Sequence, residues 1–289
     1  MIRALKPGDE GRLDQFLRRH ADSSLFLRSN ALNGGLRDEG RRLQATYVAE
    51  VADEEVIAVV AHGWNGNLLL QAPVNTGELC RRAAAITGRP VAGLIGPWDQ
   101  VLLALQELGL AAAEMSLRSR EDLFAVDLNL MRVPERLTQG SLICRPASAG
   151  HGDVLAEWRR AYRVEALGEV DRPELLVTSR EDIIRGQSSG DLFVLEDAGQ
   201  PVATCAFNAR HPACVQIGGV WAPPEMRRRG YGRAVVAGAL VVARTEGVAR
   251  SVLFTDEENV AARTAYLSLG YQRVGDYGLV LFREGQQPR

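Results

Sequence analysis

VWAPPEMRRRGYGR, residues 220–233, joins a predicted strand to a predicted helix and contains the pattern Arg227-x-x-Gly230-x-Gly232. Glycines permit backbone conformations that are closed to other residues, so main-chain N–H groups can turn toward phosphate oxygens. The helix that follows adds the positive end of its dipole. Further charge comes from the arginines of the segment, namely Arg227, Arg228, Arg229 and Arg233. The segment therefore predicts a binding site for a pyrophosphate.

The pattern alone does not identify the pyrophosphate compound. A Walker loop requires Gly-Lys-Ser/Thr, and the only lysine of the chain is Lys6. A dinucleotide fingerprint requires GxGxxG at the first strand–helix turn of a βαβ unit. Here the turn reads RxxGxG and follows several strands of antiparallel pattern, which disfavours both alternatives.

A second pattern follows the turn. Asn259 and Tyr266 are seven residues apart on a predicted helix, 258–269, that ends in Leu269-Gly270-Tyr271. At 100° per residue both face one side of the helix, about 10 Å apart along its axis, and Gly270 stands where a C-cap is wanted. Asparagine also favours helix starts, so Asn259 could be a cap, which would not prevent it from contacting a cofactor.

This ordered set of motifs resembles the GNAT superfamily of N-acetyltransferases, over roughly residues 142–282 and most densely over 218–271. The resemblance implies acetyl-CoA as acyl donor and no metal. It also implies that the backbone of Val220, Trp221 and Ala222 pairs with the pantetheine arm. The segment that would hold the pyrophosphate comprises Arg227, Arg228, Arg229, Gly230, Tyr231, Gly232 and Arg233.

The resemblance also implies a mechanism. Asn259 would help to position the cofactor, and Tyr266 would be the general acid for the departing thiolate. A neutral amine would attack the thioester directly while a backbone N–H of the preceding strand polarises its carbonyl.

One departure from the family concerns the general base. Many members carry a glutamate on the strand before the loop, but here that strand reads CVQIGGVW, with Gln216 or Gly218 where the carboxylate is expected. Glu225 lies in the turn beyond the strand. Either the base comes from elsewhere, or water and a lowered amine pKa suffice, so the base stays unassigned.

The length of 289 residues fits two domains. We predict an α/β fold of two tandem GNAT-like domains, each a mixed, mostly antiparallel sheet flanked by helices. Residues 1–138 would be a degenerate domain without the cofactor motif, because the turn after its predicted strand 68–71 reads APVNTGE. Residues 139–289 would be the catalytic domain. The predicted strands are 2–5, 44–51, 56–62, 68–71, 91–95, 123–132, 142–144, 192–196, 202–209, 214–221, 251–254, 271–274 and 279–282, and the predicted helices are 9–19, 24–36, 78–87, 98–108, 153–167, 232–244 and 258–269.

Composition excludes some classes of function. The net charge of −2 creates no field that favours nucleic acid or anionic lipid. No stretch approaches the ~20 apolar residues of a membrane span. The four cysteines lack CxxC spacing, and the group Cys205, His211 and Cys214 fits no common zinc pattern. We expect a cytoplasmic monomer or homodimer with free thiols and no secretion signal.

The sequence therefore predicts an acetyl-CoA-dependent N-acetyltransferase that acts on a primary amine of a small molecule or peptide. An acyl-CoA sensor without catalysis is the alternative, and the missing strand carboxylate favours it. A nucleic-acid-binding protein is disfavoured by the near-neutral charge.

Overall fold

The computed structural model describes residues 1–287, and contacts divide the chain into two compact units. The first unit combines Met1–Leu123 with the residues from Val274 onward, and the second is Phe124–Arg273. In each unit helices cover a mixed sheet. The predicted fold class, tandem GNAT-like α/β domains, is confirmed.

The first unit has a sheet in the order β1-β2-β3-β4-β5-β12. Its neighbours are antiparallel except for the parallel pair β4–β5. Its elements are β1 (Ile2–Ala4), α1 (Glu10–Arg18), α2 (Leu25–Gly34), β2 (Ala45–Ala52), β3 (Glu55–Gly63), β4 (Asn67–Gln71), α3 (Thr76–Thr87), β5 (Val91–Pro97), α4 (Trp98–Glu107), the first part of β6 (Met115–Asp127) and most of β12 (Gln272–Gln286).

The second unit has a sheet in the order β7-β8-β9-β10-β11, followed by the end of β6. Here β7 to β10 are antiparallel and β10–β11 is parallel. Helix α8 packs on one face of this sheet, and α6 and α7 pack on the other. The elements are α5 (Glu135–Thr138), β7 (Leu142–Pro146), α6 (Gly152–Leu167), α7 (Pro173–Ser189), β8 (Leu192–Asp197), β9 (Gln200–His211), β10 (Cys214–Trp221), α8 (Tyr231–Thr245), β11 (Arg250–Asp256) and α9 (Val260–Leu269).

The last strands differ from the prediction. Strand β6 begins at Met115, eight residues before the predicted 123. Its first part alternates exposed positions with half-buried ones and the buried Ser119, a mostly polar pattern that the sequence does not mark as a strand. The two predicted closing strands form one strand, β12, whose Leu279 pairs with Ile95 of β5. The compact units therefore do not meet at residue 138. The division into domains 1–138 and 139–289 stays a prediction.

Helix α7 is missing from the prediction altogether. It starts with Pro173 at its first turn, ends before Gly190 in the left-handed conformation, and buries Leu175, Ser179 and Ile183. The buried face of α7 gives a weak sequence pattern because a serine occupies its centre and only two of its positions are apolar.

The sequence also places Leu155, Trp158, Tyr162 and Leu167 on one buried face of α6, and this prediction is partly wrong. Leu155 is buried and Trp158 half-buried, but Leu167 is 37% exposed. Twelve residues separate Leu155 from Leu167, which places them about 120° apart around the helix.

The sequence predicts Asp9 as the cap of the first helix. Asp9 does precede α1, but its side chain does not cap it. Its carboxylate instead accepts two hydrogen bonds from Arg3, at 2.7 and 2.8 Å, and one from the Lys6 N–H. The Arg3 bonds lower the pKa of Asp9 to about 2. The carboxylate thus ties β1 to the start of α1.

Candidate functional site

Strand β10 leaves its neighbour β11 halfway along its length. Parallel pairing joins residues 214–216 to 250–252 and ends at Gln216, whereas β10 continues to Trp221. On its other side β10 stays paired with β9 as far as Trp221 opposite Thr204. The backbone from Ile217 to Trp221 therefore offers its second edge to another extended chain, as an edge strand does.

A bulge lies in the separated part of β10. The register with β9 shifts between Gly218 and Trp221, and Gly219 has φ +59°. A Cβ on Gly218 would overlap the side chain of Asn208. Bulges of this kind re-aim strands beside active sites, and the absence of a side chain at Gly218 lets Asn208 of β9 approach the backbone of β10.

The turn after β10 is lined by main-chain amides. Arg228 and Gly230 have φ of +62° and +78°, in the left-handed region. The first bond of α8 runs from the Ala234 N–H to the Gly230 C=O, at 3.0 Å. The N–H groups of the preceding residues in the first helical turn have no partner within the helix. Successive amides in such conformations form an anion-binding concavity, and the Cα hydrogen of Gly230 that replaces a Cβ faces open space.

Three of the four predicted arginines surround this turn with exposed side chains, namely Arg228, Arg229 and Arg233. Arg227 differs. Its guanidinium binds both carboxylate oxygens of Glu165 on α6 at 2.9 Å, donates to the Ala222 carbonyl at 3.1 Å and lies 4.7 Å from the centre of the Trp221 ring. Arg227 therefore braces the turn against α6, and only its main chain is available to a pyrophosphate.

Tyr231 is also used internally. Its hydroxyl donates to Asp197 at 2.5 Å, and Arg136 covers its ring. The Tyr231 bond, with help from Arg136, lowers the pKa of Asp197. The side chain anchors the start of α8 to β8, so the predicted contact with a cofactor rests on the Tyr231 amide.

Asn259 is the N-cap of α9. Its Oδ1 accepts from the Ala262 N–H at 3.1 Å, and the helix begins at Val260 rather than at 258. Asn259 thus lies before the helix and not on its face. The cap does not use the side-chain NH₂ group, and the role of Asn259 in cofactor positioning stays a prediction.

Tyr266 lies inside the second unit, 8% exposed. It belongs to the same buried apolar cluster as Ile217, the first residue of β10 beyond its pairing with β11. Its ring lies 5.9 Å from that of Tyr271, whose hydroxyl shares a 2.7 Å hydrogen bond with Ser251 and whose burial raises its pKa. The Tyr271 hydroxyl has its partner on β11, and Tyr266 is the tyrosine that the resemblance predicts as the general acid.

Gln216 occupies the point where β10 and β11 separate. It is 2% exposed, and its Nε2 donates to the Ile217 carbonyl at 2.8 Å. Its Oε1 has no hydrogen-bond partner among residues 1–287. A buried acceptor without a partner costs about 1–3 kcal/mol, so this atom is a candidate binding point for water or an amine. Glu225 is exposed in the turn beyond.

Helix α6 contributes residues that the sequence reasoning missed. Arg159, Tyr162 and Glu165 line its side toward the end of β10: Tyr162 contacts the edge of Trp221 with ring centres 6.1 Å apart, and Glu165 holds Arg227. They are spaced three residues apart within WRRAYRVE, which predicts a shared helix face. This spacing is the sequence signal that could have identified them.

The corresponding turn of the first unit is filled by its own side chains. At the start of α3, the Gly77 N–H donates to the Glu107 carboxylate at 2.9 Å. Beyond β4, the Ala72 N–H donates to Gln100 at 2.7 Å. An internal carboxylate thus occupies the helix N-terminus where a phosphate would bind. At Gly230 in the turn of the second unit, by contrast, no atom of the described residues beyond its chain neighbours lies within 4 Å of the point that a Cβ would occupy.

Among residues 1–287 no group of three or more His, Cys, Asp or Glu side chains could hold a metal ion. Cys205 and Cys214 are buried free thiols, and burial raises the pKa of Cys205. Within the same part of the chain, no helix combines the length and apolar character needed to cross a bilayer.

Comparisons with known proteins agree with this geometry. Residues 153–271 match the model of the acetyltransferase (GNAT) family. No curated protein matches the chain.

Among solved structures, the chain resembles a GCN5-related N-acetyltransferase from Sphaerobacter thermophilus, with 17% identity, 97% and 94% of the two chains covered and a TM-score of 0.56. A tandem GNAT protein from the clavulanic acid biosynthesis pathway shares 13% identity over 97% of both chains, with a TM-score of 0.55. A Drosophila protein shares 13% identity over 97% and 98%, with a TM-score of 0.66. At these identities the likeness shows the fold.

The second unit thus combines a strand that separates from its neighbour with an amide-lined turn at a helix N-terminus. Residues 153–271 match the acetyltransferase (GNAT) family, and the fold of the chain resembles that of a tandem GNAT protein.

Proposed function

We propose that this protein transfers an acetyl group from acetyl-CoA to a primary amine of a small molecule or peptide. The observation that carries the proposal is the separation of β10 from β11 after Gln216, directly before the amide-lined turn at residues 228–233. An extended pantetheine arm can pair with the free edge of β10 at Val220 to Ala222, and the diphosphate fits the turn at the N-terminus of α8. A cytoplasmic location and a monomeric or dimeric state are parts of the same proposal.

When bound, acetyl-CoA would supply a thioester carbon that an amine can attack. A backbone N–H from the bulged part of β10 polarises the thioester oxygen. Tyr266 would give its hydroxyl proton to the departing sulfur as the C–S bond breaks, and the proton that the amine nitrogen loses as the N–C bond forms would return to the tyrosine through water. Gln216 Oε1 can accept a hydrogen bond from the amine or from a water that takes its proton, but an amide is not a base.

The absence of a carboxylate from β10 supports a second candidate function, a sensor that binds an acyl-CoA without turnover. The two functions share the donor site and differ only in chemistry. Release of free CoA in the presence of an amine separates them.

The test combines a calorimetric titration with acetyl-CoA and a screen of primary amines, in which CoA release and acetylated product are both measured. We expect one site per chain, since Glu107 fills the turn of the first unit, and turnover with a subset of amines. An absence of acetyl-CoA binding would end the proposal. Binding without CoA release across a broad amine panel would favour the sensor.

A further inference from the structure

We propose that the acceptor amine carries a carboxylate, which Arg159 of α6 binds beside the separated part of β10. This inference rests on the proposed function and names the class of its acceptor: short amines with a nearby carboxylate, such as α-amino acids.

The first observation is the position of Arg159. Its Nη1 lies 3.8 Å from the point that a Cβ on Gly219 would occupy, and it is the only atom of the described residues within 4 Å of that point, apart from the flanking residues of the chain. Gly219 lies in the bulge, past the end of the β10–β11 pairing. The guanidinium therefore borders open space directly over the bare backbone where the thioester is expected.

The second observation is charge. The Arg159 Nε donates to one oxygen of Asp182 at 3.1 Å, and Arg185 donates to the other oxygen at 2.6 Å. Two guanidinium groups thus share one carboxylate and leave an excess of one positive charge. Glu165 of α6 is bound to Arg227 through both of its oxygens. An anion is the ligand that this arrangement favours.

The third observation is orientation. The Arg159 guanidinium stacks 5.5 Å from the centre of the Tyr162 ring, and Tyr162 contacts Trp221 edge to face. Stacking and the Asp182 bond together fix the plane of the guanidinium, with Nη1 toward Gly219. A fixed planar guanidinium suits a carboxylate better than a point charge would.

These positions limit the length of the acceptor. Attack requires the amine nitrogen about 3–3.5 Å from the thioester carbon. A carboxylate bound to Nη1 already lies beside the bulge, so its amine must be only a few bonds away. A long diamine would have no group that Arg159 could bind.

The experiment compares amines in matched pairs, an α-amino acid and its amide, for the parent protein and for Arg159→Gln. Arg160→Gln is the control, because Arg160 is the next residue of α6 but binds Asp171, at 2.7 and 2.9 Å. For the parent we expect higher kcat/KM with the free carboxylate. Arg159→Gln should raise KM for the carboxylate by about 10- to 100-fold, the range of a charge-assisted hydrogen bond. It should leave KM for the amide and the Kd of acetyl-CoA unchanged.

Arg159→Lys retains the charge but loses the planar fork, and an intermediate KM for the carboxylate is expected. Equal use of acids and amides by a parent enzyme that does turn over amines would overturn this inference alone. Equal effects of Arg159→Gln and Arg160→Gln on the carboxylate KM would also overturn it. A parent protein that acetylates no amine contradicts the proposed function itself, and the inference falls with it.

Discussion

Tyr266→Phe is expected to lower kcat by at least about 100-fold, since a positioned general acid contributes about 10²–10⁴. The Kd of acetyl-CoA should change less than about twofold, because the ring, which lies 8% exposed in the cluster that includes Ile217, is retained. The measurement is steady-state CoA release at saturating amine, with the Kd from calorimetry. A loss confined to kcat assigns the hydroxyl to the departing thiolate.

Tyr271→Phe is the matched control. The two rings lie 5.9 Å apart, but the Tyr271 hydroxyl is bound to Ser251. Its removal should cost about 1 kcal/mol of unfolding free energy and leave kcat nearly unchanged. Full activity of Tyr266→Phe, or equal losses of kcat in both variants, would contradict the assignment.

Gly230→Glu is expected to raise the Kd of acetyl-CoA by about 100-fold. The new carboxylate would lie at the amides of the turn, and a like charge about 5 Å from a phosphate costs about 3 kcal/mol at an effective dielectric of 20, which corresponds to roughly that factor. Gly230 has φ +78° and open space around it, so backbone strain without a steric clash accompanies the charge. Calorimetry with acetyl-CoA measures the effect.

Gly247→Glu controls for that strain. Gly247 follows the other end of α8, has φ +89° and is equally open. It therefore receives the same side chain at a similar left-handed position, but far along the helix from the turn. We expect comparable thermal destabilisation in both variants and an unchanged Kd in Gly247→Glu. Similar losses of affinity in both would show that the turn does not hold the diphosphate.

Local patterns predicted most of the fold. Strand β10 matches its predicted bounds, 214–221, because β-branched and apolar residues end at a proline pair. Helix α8 was expected from 232 and begins at Tyr231. Helix α7 was missed because Ser179 interrupts its buried face. The long strands β6 and β12 were misplaced because each contains polar residues that interrupt the apolar pattern.

The site could be predicted only as far as its main chain. Glycines and helix starts in a sequence indicate the backbone conformation. The turn has two residues in the left-handed conformation, Gly230 as the glycine pattern requires and also Arg228. Side-chain partners are set by distant elements. No local pattern indicates that Arg227 binds Glu165, 62 residues away, or that Glu107 fills the turn of the first unit at Gly77.

The most direct test is an experimental structure of the protein with acetyl-CoA. We predict the pantetheine arm paired with β10 beyond Gln216, the diphosphate on the amides of residues 228–233, and the thioester beside Gly219 and Tyr266. The first unit should hold no cofactor at Gly77. A diphosphate bound at α3 of the first unit, or a cofactor bound away from β10 and α8, would contradict the account.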